Sequence, residues 1–461
     1  MSLDQRFADA MGALIGPDFP EHLALAVSGG GDSMAMLTLA HNWTHRWGVS
    51  LWVVTVDHGL RDGSAAEAEM VAQECALLGH PHATLRWRWD GQGNLQDAAR
   101  RGRLALIDRW RNGIEHVLMA HTRDDLAETF LMRLARGSGV EGLSAMAATR
   151  YVVPHPHAGK NALSPDEVTQ TADPPSPARR VAGVPAVSRG FHIVRPCLEI
   201  SRSDLRHYLE TLKGRWVEDP SNDDPRFARV RIRQAAETLE ALGLDAATLS
   251  DTAARMARAQ VALRARAAQV WATIGQEERV GRIATGALLF DRDGFETVER
   301  DTQLRLLAAG VQWVSSTVLR PRMEALEGLL DRVLGGGAGT LQGCEAVMER
   351  DRLCVFREFQ AVRSETCGAA SGVLWDGRWR ATATADPGVE IRALGEDGWR
   401  QVPQKPEEAP PFRSARSLPA LWRGANLIAC PALAFGEAAQ MALWPMGRET
   451  GPTFGAFLLS H

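Results

Sequence analysis

The chain has 461 residues, 45% of them hydrophobic, and a formal net charge of -4. That length is too great for one ordinary core and points to two or three domains, while a charge so near zero neither demands nor forbids nucleic acid, so any RNA contact has to rely on local patches. No run approaches the roughly 20 uninterrupted apolar residues of a membrane span, and the first residues, with Asp4, Arg6 and Asp9, lack the basic cap and apolar run of a secretory signal, so no membrane partner and a cytoplasmic location are expected.

Apolar runs rich in β-branched residues recur at 23–27, 51–57, 83–89 and 115–120, each followed by a segment of helical character. A beat of about thirty residues marks a parallel sheet with crossover helices. The helices are expected from Ser33, over 65–78 with a stop at Gly79, over 96–111 and over 124–135. This is a doubly wound α/β domain, spanning 1–235. Between 154 and 189 the composition shifts to Pro, Ala, Ser and Gly, with Pro174, Pro175 and Pro177 crowded together, so a mobile insert is expected at about 156–190. The pattern resumes at 192–196 with a helix over 201–213. From 235 to 268, Ala, Leu and Arg recur at helical spacing, which suggests a mainly helical domain over 236–371. Short β-like pieces at 375–384 and 425–434, divided by Gly and Pro, suggest a small C-terminal α+β domain over 372–461.

The most informative segment is Ser28-Gly29-Gly30-Gly31-Asp32-Ser33, between an apolar strand and an expected helix. Three glycines let the backbone approach an anion, and the helix start directs unpaired N–H groups and a positive dipole end at it. It is a phosphate cradle. No Gly-Lys-Ser/Thr follows, so it is not a Walker loop, and its contiguous glycines are not a dinucleotide fingerprint. A plain tight turn has no need of a carboxylate, whereas Mg²⁺ on ATP does, which gives Asp32 a role. The next strand ends in Asp57-His58, at the carboxyl edge where α/β ligands bind, a place for an adenine or ribose contact or for a plain strand exit.

The second segment, His121-Thr122-Arg123-Asp124-Asp125-Leu126-Ala127-Glu128-Thr129, also leaves a strand at that edge. On a helix His121, Asp125 and Glu128 share one face. A solvated helix start capped by Asp124 is one reading. Paired acids beside an ATP site otherwise need a cation, and lysine's ammonium or a metal ion would suit.

The loop Ser-Gly-Gly-x-Asp-Ser resembles that of the PP-loop ATP pyrophosphatase superfamily. Within it the order of motifs is similar to the tRNA(Ile)-lysidine synthetase family: the loop, Val-Asp-His-Gly-Leu-Arg at 56–61, Ala99-Arg100, the His121 segment with Arg136-Gly137-Ser138-Gly139, Arg195-Pro196, and Glu218-Asp219-Pro220-Ser221-Asn222. The likeness covers nearly all of residues 20–235, and 413–422 looks like that family's C-terminal tRNA-binding module. The resemblance implies an ATP-dependent ligase that adenylates C2 of the wobble cytidine of tRNA(Ile) with a CAU anticodon, then joins it to the ε-amine of L-lysine. It implies that Ser28, Gly29, Gly30, Gly31, Asp32, Ser33, Asp57 and His58 bind ATP, that Asp32 holds Mg²⁺ through the nucleotide, that Asp125 and Glu128 hold lysine, and that Arg100 faces the reacting nucleotide. Asp32, Arg100, Asp125 and Glu128 are thus the expected catalytic set.

After Asn222 the family carries an aspartate or asparagine around its arginine, whereas this chain reads Phe227-Ala228-Arg229-Val230-Arg231-Ile232-Arg233. With no acid between them, Arg226, Arg229, Arg231 and Arg233 make a basic strip for RNA phosphates, or a helix surface paired with Asp223, Asp224 and Glu237. Arg195, Arg229, Arg231, Arg233 and Arg413 are the expected tRNA contacts. The six scattered cysteines have no two-residue spacing and read as reduced packing residues. Their isolation argues against the main rival, a tRNA 2-thiolation enzyme of the same superfamily. Intact Asp32, Asp125 and Glu128 argue against a catalytically silent tRNA-binding protein. Whether the chain forms a homodimer is left open.

Overall fold

In the computed structural model the described residues are 1–60, 63–144, 146–152, 163–164, 166–170, 190–218, 226, 228–370, 372–381, 388–436, 441–445 and 453–460. They form two compact units, Met1–Arg258 and Ala259–His461.

The first unit opens with α1 (Leu3–Ile15) and alternates β1 (His22–Ala26), α2 (Gly31–Trp47), β2 (Ser50–Asp57), α3 (Ser64–Leu78), β3 (His82–Arg86), α4 (Leu95–Trp110), β4 (His116–Met119) and α5 (Arg123–Leu134). Then come α6 (Val140–Leu143), β5 (Thr149–Val152), β6 (Val168–Gln170), β7 (Phe191–Val194), α7 (Arg202–Thr211), α8 (Ala228–Gln234), α9 (Ala236–Ala241) and the start of α10 (Ala246–Ile274), which continues past Arg258 into the second unit. One seven-stranded sheet results, in the order β5-β7-β4-β1-β2-β3-β6. The five inner strands are parallel and the two edge strands antiparallel. The chain runs outward from β1 to β3, then returns to β4 on the other flank of β1. The topological switch point, where ligands of such sheets bind, therefore lies between β1 and β4.

Alternation along β1 serves two cores. Leu23 and Leu25 join Phe7, Met36 and Leu205 from α1, α2 and α7, while Ala24 joins Leu106, Ile107 and Trp110 of α4. A strand buried on both faces reads as a continuous apolar run, which makes this beat legible. Gly79 ends α3 in the left-handed region at φ 76°, the expected stop.

Most of the expected insert at 156–190 lies outside the described residues, as do His155, His157, Arg61 and the segment 219–225. The described part adds β6 to the free edge of β3 and seats Glu167 on Arg109 of α4 through two hydrogen bonds of 2.8 and 2.5 Å. That contact draws the Glu167 carboxyl down to about 2.

In the second unit β8 (Gly275–Val280), β9 (Ile283–Asp291), β10 (Ala338–Leu341), β11 (Cys344–Glu349) and β12 (Arg352–Arg357) form an antiparallel sheet in the order β10-β11-β12-β9-β8. It packs on α12 (Arg300–Ser315) and α13 (Met323–Leu334), which follow the short α11 (Arg292–Glu296), through Leu288, Phe290, Leu306, Val314, Leu326 and Val355. This sheet lies within 236–371, the segment expected to be mainly helical, and composition did not announce it. Towards the C-terminus, Thr366–Gly368, Glu390–Ala393, Pro419–Arg423 and Asn426–Ala429 pair as one small antiparallel sheet, and Leu374–Trp375, Trp379–Ala381 and Met441–Leu443 as another. Among the described residues no helix is long and apolar enough to cross a membrane.

Candidate active site

Two loops leave the sheet at the switch point. The first, after β1, is the glycine loop. Gly29 sits at φ 85°, a conformation a side chain would strain. Gly30 caps α2 without any side-chain bond, so the first-turn N–H groups stay available to an anion. Ser33 is buried and turned inward: its Oγ donates to Gly30 O at 2.9 Å, accepts from Ser28 N–H at 3.2 Å and lies 3.2 Å from Ser28 Oγ. Val217 N–H braces the loop from outside on Gly29 O, at 2.9 Å. Ser33 thus shapes the loop.

Asp32 occupies the first turn of α2. Burial raises its carboxyl above the ordinary value, helped by Asp125 and Asp124 and opposed by Arg202. A carboxyl raised among other carboxyls gains from an added cation, which fits Mg²⁺. Among the described residues no group of three or more His, Cys, Asp or Glu is arranged to hold a metal, so Asp32 would need the nucleotide to complete a coordination sphere.

The second loop follows β4. The cap of α5 is Thr122, not Asp124: Thr122 Oγ1 accepts from Asp125 N–H at 3.4 Å, and Asp125 Oδ2 accepts from Thr122 N–H at 2.9 Å and from its hydroxyl at 3.1 Å. This capping box fixes Asp125 and leaves Oδ1 facing the site. Burial pushes the Asp125 carboxyl up, but the Thr122 N–H, Arg202 and Arg229 outweigh it and hold the group below its usual value. Glu128 follows one turn later and is buried.

A residue that the sequence reading passed over joins the two loops. Arg202, the first residue of α7, places Nε 3.2 Å from Asp32, Nη2 3.3 Å from Asp125 and Nη1 3.0 Å from Glu128. Its backbone N–H donates to Asp124 at 2.7 Å. Burial disfavours its charge, yet the three carboxylates outweigh that and keep it firmly protonated. One signal was available: an arginine at the first position of a helix opposes the macrodipole and needs a local acid to explain it.

The expected RNA-binding arginines are engaged within the protein. Arg229 Nε lies 3.2 Å from Glu128, Arg233 Nε 2.6 Å from the same carboxylate, and Arg231 donates to Arg226 O at 3.1 Å. Arg195 is only 3% exposed; it donates to His121 Nδ1 at 3.3 Å and to Ala147 O at 2.7 Å, so meeting a phosphate would require it to leave both. In the second unit Arg413 Nε donates to Glu345 at 2.6 Å.

Burial, then Arg195, pushes the His121 imidazole down to about 4 against the opposing pull of Asp125, so it is neutral at ordinary pH. Arg100 is exposed on α4, and its charge is felt by Arg103, Arg133, Arg150 and Arg195, so positive potential gathers beside His121. At the end of β2 Asp57 accepts from Gly59 N–H at 2.8 Å and holds the turn. His58 stands 5.6 Å from the Trp87 ring; burial, then Arg103, lowers it to about 4, and its Nδ1 is buried without a hydrogen-bond partner. An orphaned ring nitrogen beside an indole suits a base or ribose.

Residues 3–160 and 173–239 match the PP-loop domain family. The tRNA(Ile)-lysidine synthase of Ruegeria pomeroyi is 38% identical over 96% of this chain and 95% of its own. That of Bradyrhizobium sp. is 37% identical over 68% of this chain and 80% of its own, and that of Hyphomonas neptunium 34% over 76% and 85%. A likeness that runs from the glycine loop through the second unit, on a sheet whose switch point carries both motifs, places the chain in the tRNA(Ile)-lysidine synthase family.

Proposed function

We propose that the chain makes lysidine in tRNA(Ile) bearing a CAU anticodon. The observation that carries this reading is the juxtaposition of the anion-binding loop with the carboxylates Asp125 and Glu128, joined through Arg202 at one switch point. In the first step O2 of the wobble cytidine attacks the α-phosphorus of ATP and pyrophosphate leaves. In the second the ε-amine of lysine attacks C2, AMP leaves with that oxygen, and the amine gives up a proton. Adenylation converts a poor leaving oxygen into a good one, which is why ATP is consumed.

Ser28, Gly29, Gly30 and Gly31 hold the departing phosphates, with Ser33 keeping the loop in shape. Mg²⁺, entering with the nucleotide, would rest on Asp32 and offset phosphate charge. Asp57 and His58 meet the adenosine. Asp125 and Glu128 bind and orient the amine, so that much of the rate comes from proximity. Arg100 faces the reacting nucleotide. The residues 236–371 and 372–461 supply tRNA recognition, with Arg413 on the C-terminal part, and the enzyme works in the cytoplasm. A thiolation chemistry is disfavoured because none of the six cysteines is paired, and the four that are buried have thiols pushed up to about 12, far from thiolate.

The test is transfer of radiolabelled lysine to an unmodified tRNA(Ile) transcript with ATP and Mg²⁺, beside a transcript whose wobble cytidine is changed. Label on the first alone supports the reading. Absence of label from both, with ATP-dependent incorporation of sulfur or ammonia instead, overturns it.

A further inference from the structure

The carboxylates assigned to lysine already carry cations. Glu128 Oε1 lies 3.0 Å from Arg202 Nη1 and 2.6 Å from Arg233 Nε, and Oε2 lies 3.2 Å from Arg229 Nε and 3.3 Å from Arg233 Nη2. Asp32, Asp125 and Glu128 are matched by three guanidinium groups, from Arg202, Arg229 and Arg233. An ammonium that enters makes a fourth positive charge beside a carboxylate whose side chain is 6% exposed. One or more guanidinium groups must therefore give way.

The two sources of guanidinium are held differently. Arg202 is tied to Asp32, Asp125 and Glu128 by its side chain and to Asp124 by its backbone, at the start of a helix built into the core through Leu205 and Leu209. Arg229 and Arg233 reach in from α8, a helix of seven residues that contributes only Val230 to the buried set. Their side chains are 43% and 29% exposed, and they stand one turn apart on the same helix face. Partly exposed side chains in that arrangement can be met by a polyanion, and a guanidinium binds phosphate through the same fork it offers to a carboxylate.

We propose that Arg229 and Arg233 are a built-in occupant of the amine site, drawn off Glu128 by RNA phosphates, so that the lysine site opens when RNA binds. This rests on the reading of Asp125 and Glu128 as the amine site. The exchange conserves charge pairs: phosphate takes the guanidinium groups, and the ammonium takes the carboxylate they release. Simple loss of the arginines would leave a buried carboxylate uncompensated, which is strongly unfavourable; replacement by ammonium avoids that. Because one ion pair replaces another, the balance is small and RNA can tip it. The coupling is reciprocal, so lysine tightens RNA binding by the same factor. It also keeps free lysine from occupying an enzyme that holds no RNA.

The test measures lysine affinity of the full chain by calorimetry, with and without an unmodified anticodon stem-loop RNA of CAU sequence, for the wild type and for Arg229→Gln/Arg233→Gln. The expected result is a rise of about tenfold in wild-type lysine affinity when RNA is present. The double variant should bind lysine without RNA as tightly as the wild type binds it with RNA, and RNA should then add less than about twofold. Equal wild-type affinity with and without RNA overturns the proposal, and that comparison needs no variant. A folded double variant that binds lysine no tighter than the RNA-free wild type overturns it too. Failure of the underlying assignment looks different: Glu128→Gln would then leave lysine affinity unchanged, and the inference would fall with it.

Discussion

The two loops at the switch point prepare for their ligands in opposite ways. The glycine loop after β1 is preformed and open: Ser33 and Val217 hold its shape, and the first N–H groups of α2 have no side-chain cap. The acid pair after β4 is preformed and filled, with three guanidinium groups on Glu128. An anion can enter the first as it stands, while a cation can enter the second only by displacement. The difference teaches that, in the mechanism proposed above, nucleotide binding depends on local backbone shape, and amine binding on a charge exchange among elements far apart in the chain.

Breaking the second region should have the larger effect. Glu128→Gln keeps the side-chain volume but removes the charge, and kcat/KM for lysine should fall about 100-fold, near 2.7 kcal/mol of transition-state binding, with ATP affinity kept, as steady-state kinetics would show. Arg202→Lys replaces a fork that reaches three carboxylates with a point charge that cannot. It should raise KM for both ATP and lysine, by about tenfold each, and an effect on one substrate alone would contradict its place between the loops. Gly29→Ala sharpens the contrast from the other side. Forcing a side chain to φ 85° costs about 1–2 kcal/mol and should raise KM for ATP roughly tenfold while lysine affinity stays put.

The smallest effect lies away from the site. Glu167 has a folded-state carboxyl near 2, below its usual 4.5, because of Arg109. Its contribution to stability is therefore complete above pH 4.5 and lost as pH falls towards 2. For a partly exposed pair this is worth about 1 kcal/mol. Thermal melting of Glu167→Gln against the wild type should differ at pH 6 and converge near pH 2; a constant gap across that range would contradict the assignment.

The glycine loop was legible because its chemistry is local: Ser28 to Ser33 are contiguous, and the strand before them and the helix after them follow from periodicity. Asp125 and Glu128 were legible for the same reason, since one helical turn sets their spacing. The closure of this acid pair by arginines was not. Arg202 lies 77 residues from Asp125 in sequence, and nothing in the spacing of Arg229 and Arg233 says that they turn inward to Glu128 and not outward to RNA. The surroundings of Arg195 were illegible in the same way, since an arginine before a proline gives no hint that it is buried on His121. The antiparallel sheet of β8 to β12 escaped because β8 is polar and β10 has only four residues, and the helices around them dominate the composition.

The most direct test of the division between the loops is Asp125→Asn, which retains an acceptor for Thr122 N–H and so preserves the cap of α5. Binding of ATP and of lysine to this variant should be measured separately, each in the presence of the unmodified anticodon stem-loop RNA. The account predicts that lysine binding is lost or weakened many-fold while ATP binding is kept. Equal loss of both would show that Asp125 serves the nucleotide as much as the amine, and would contradict it.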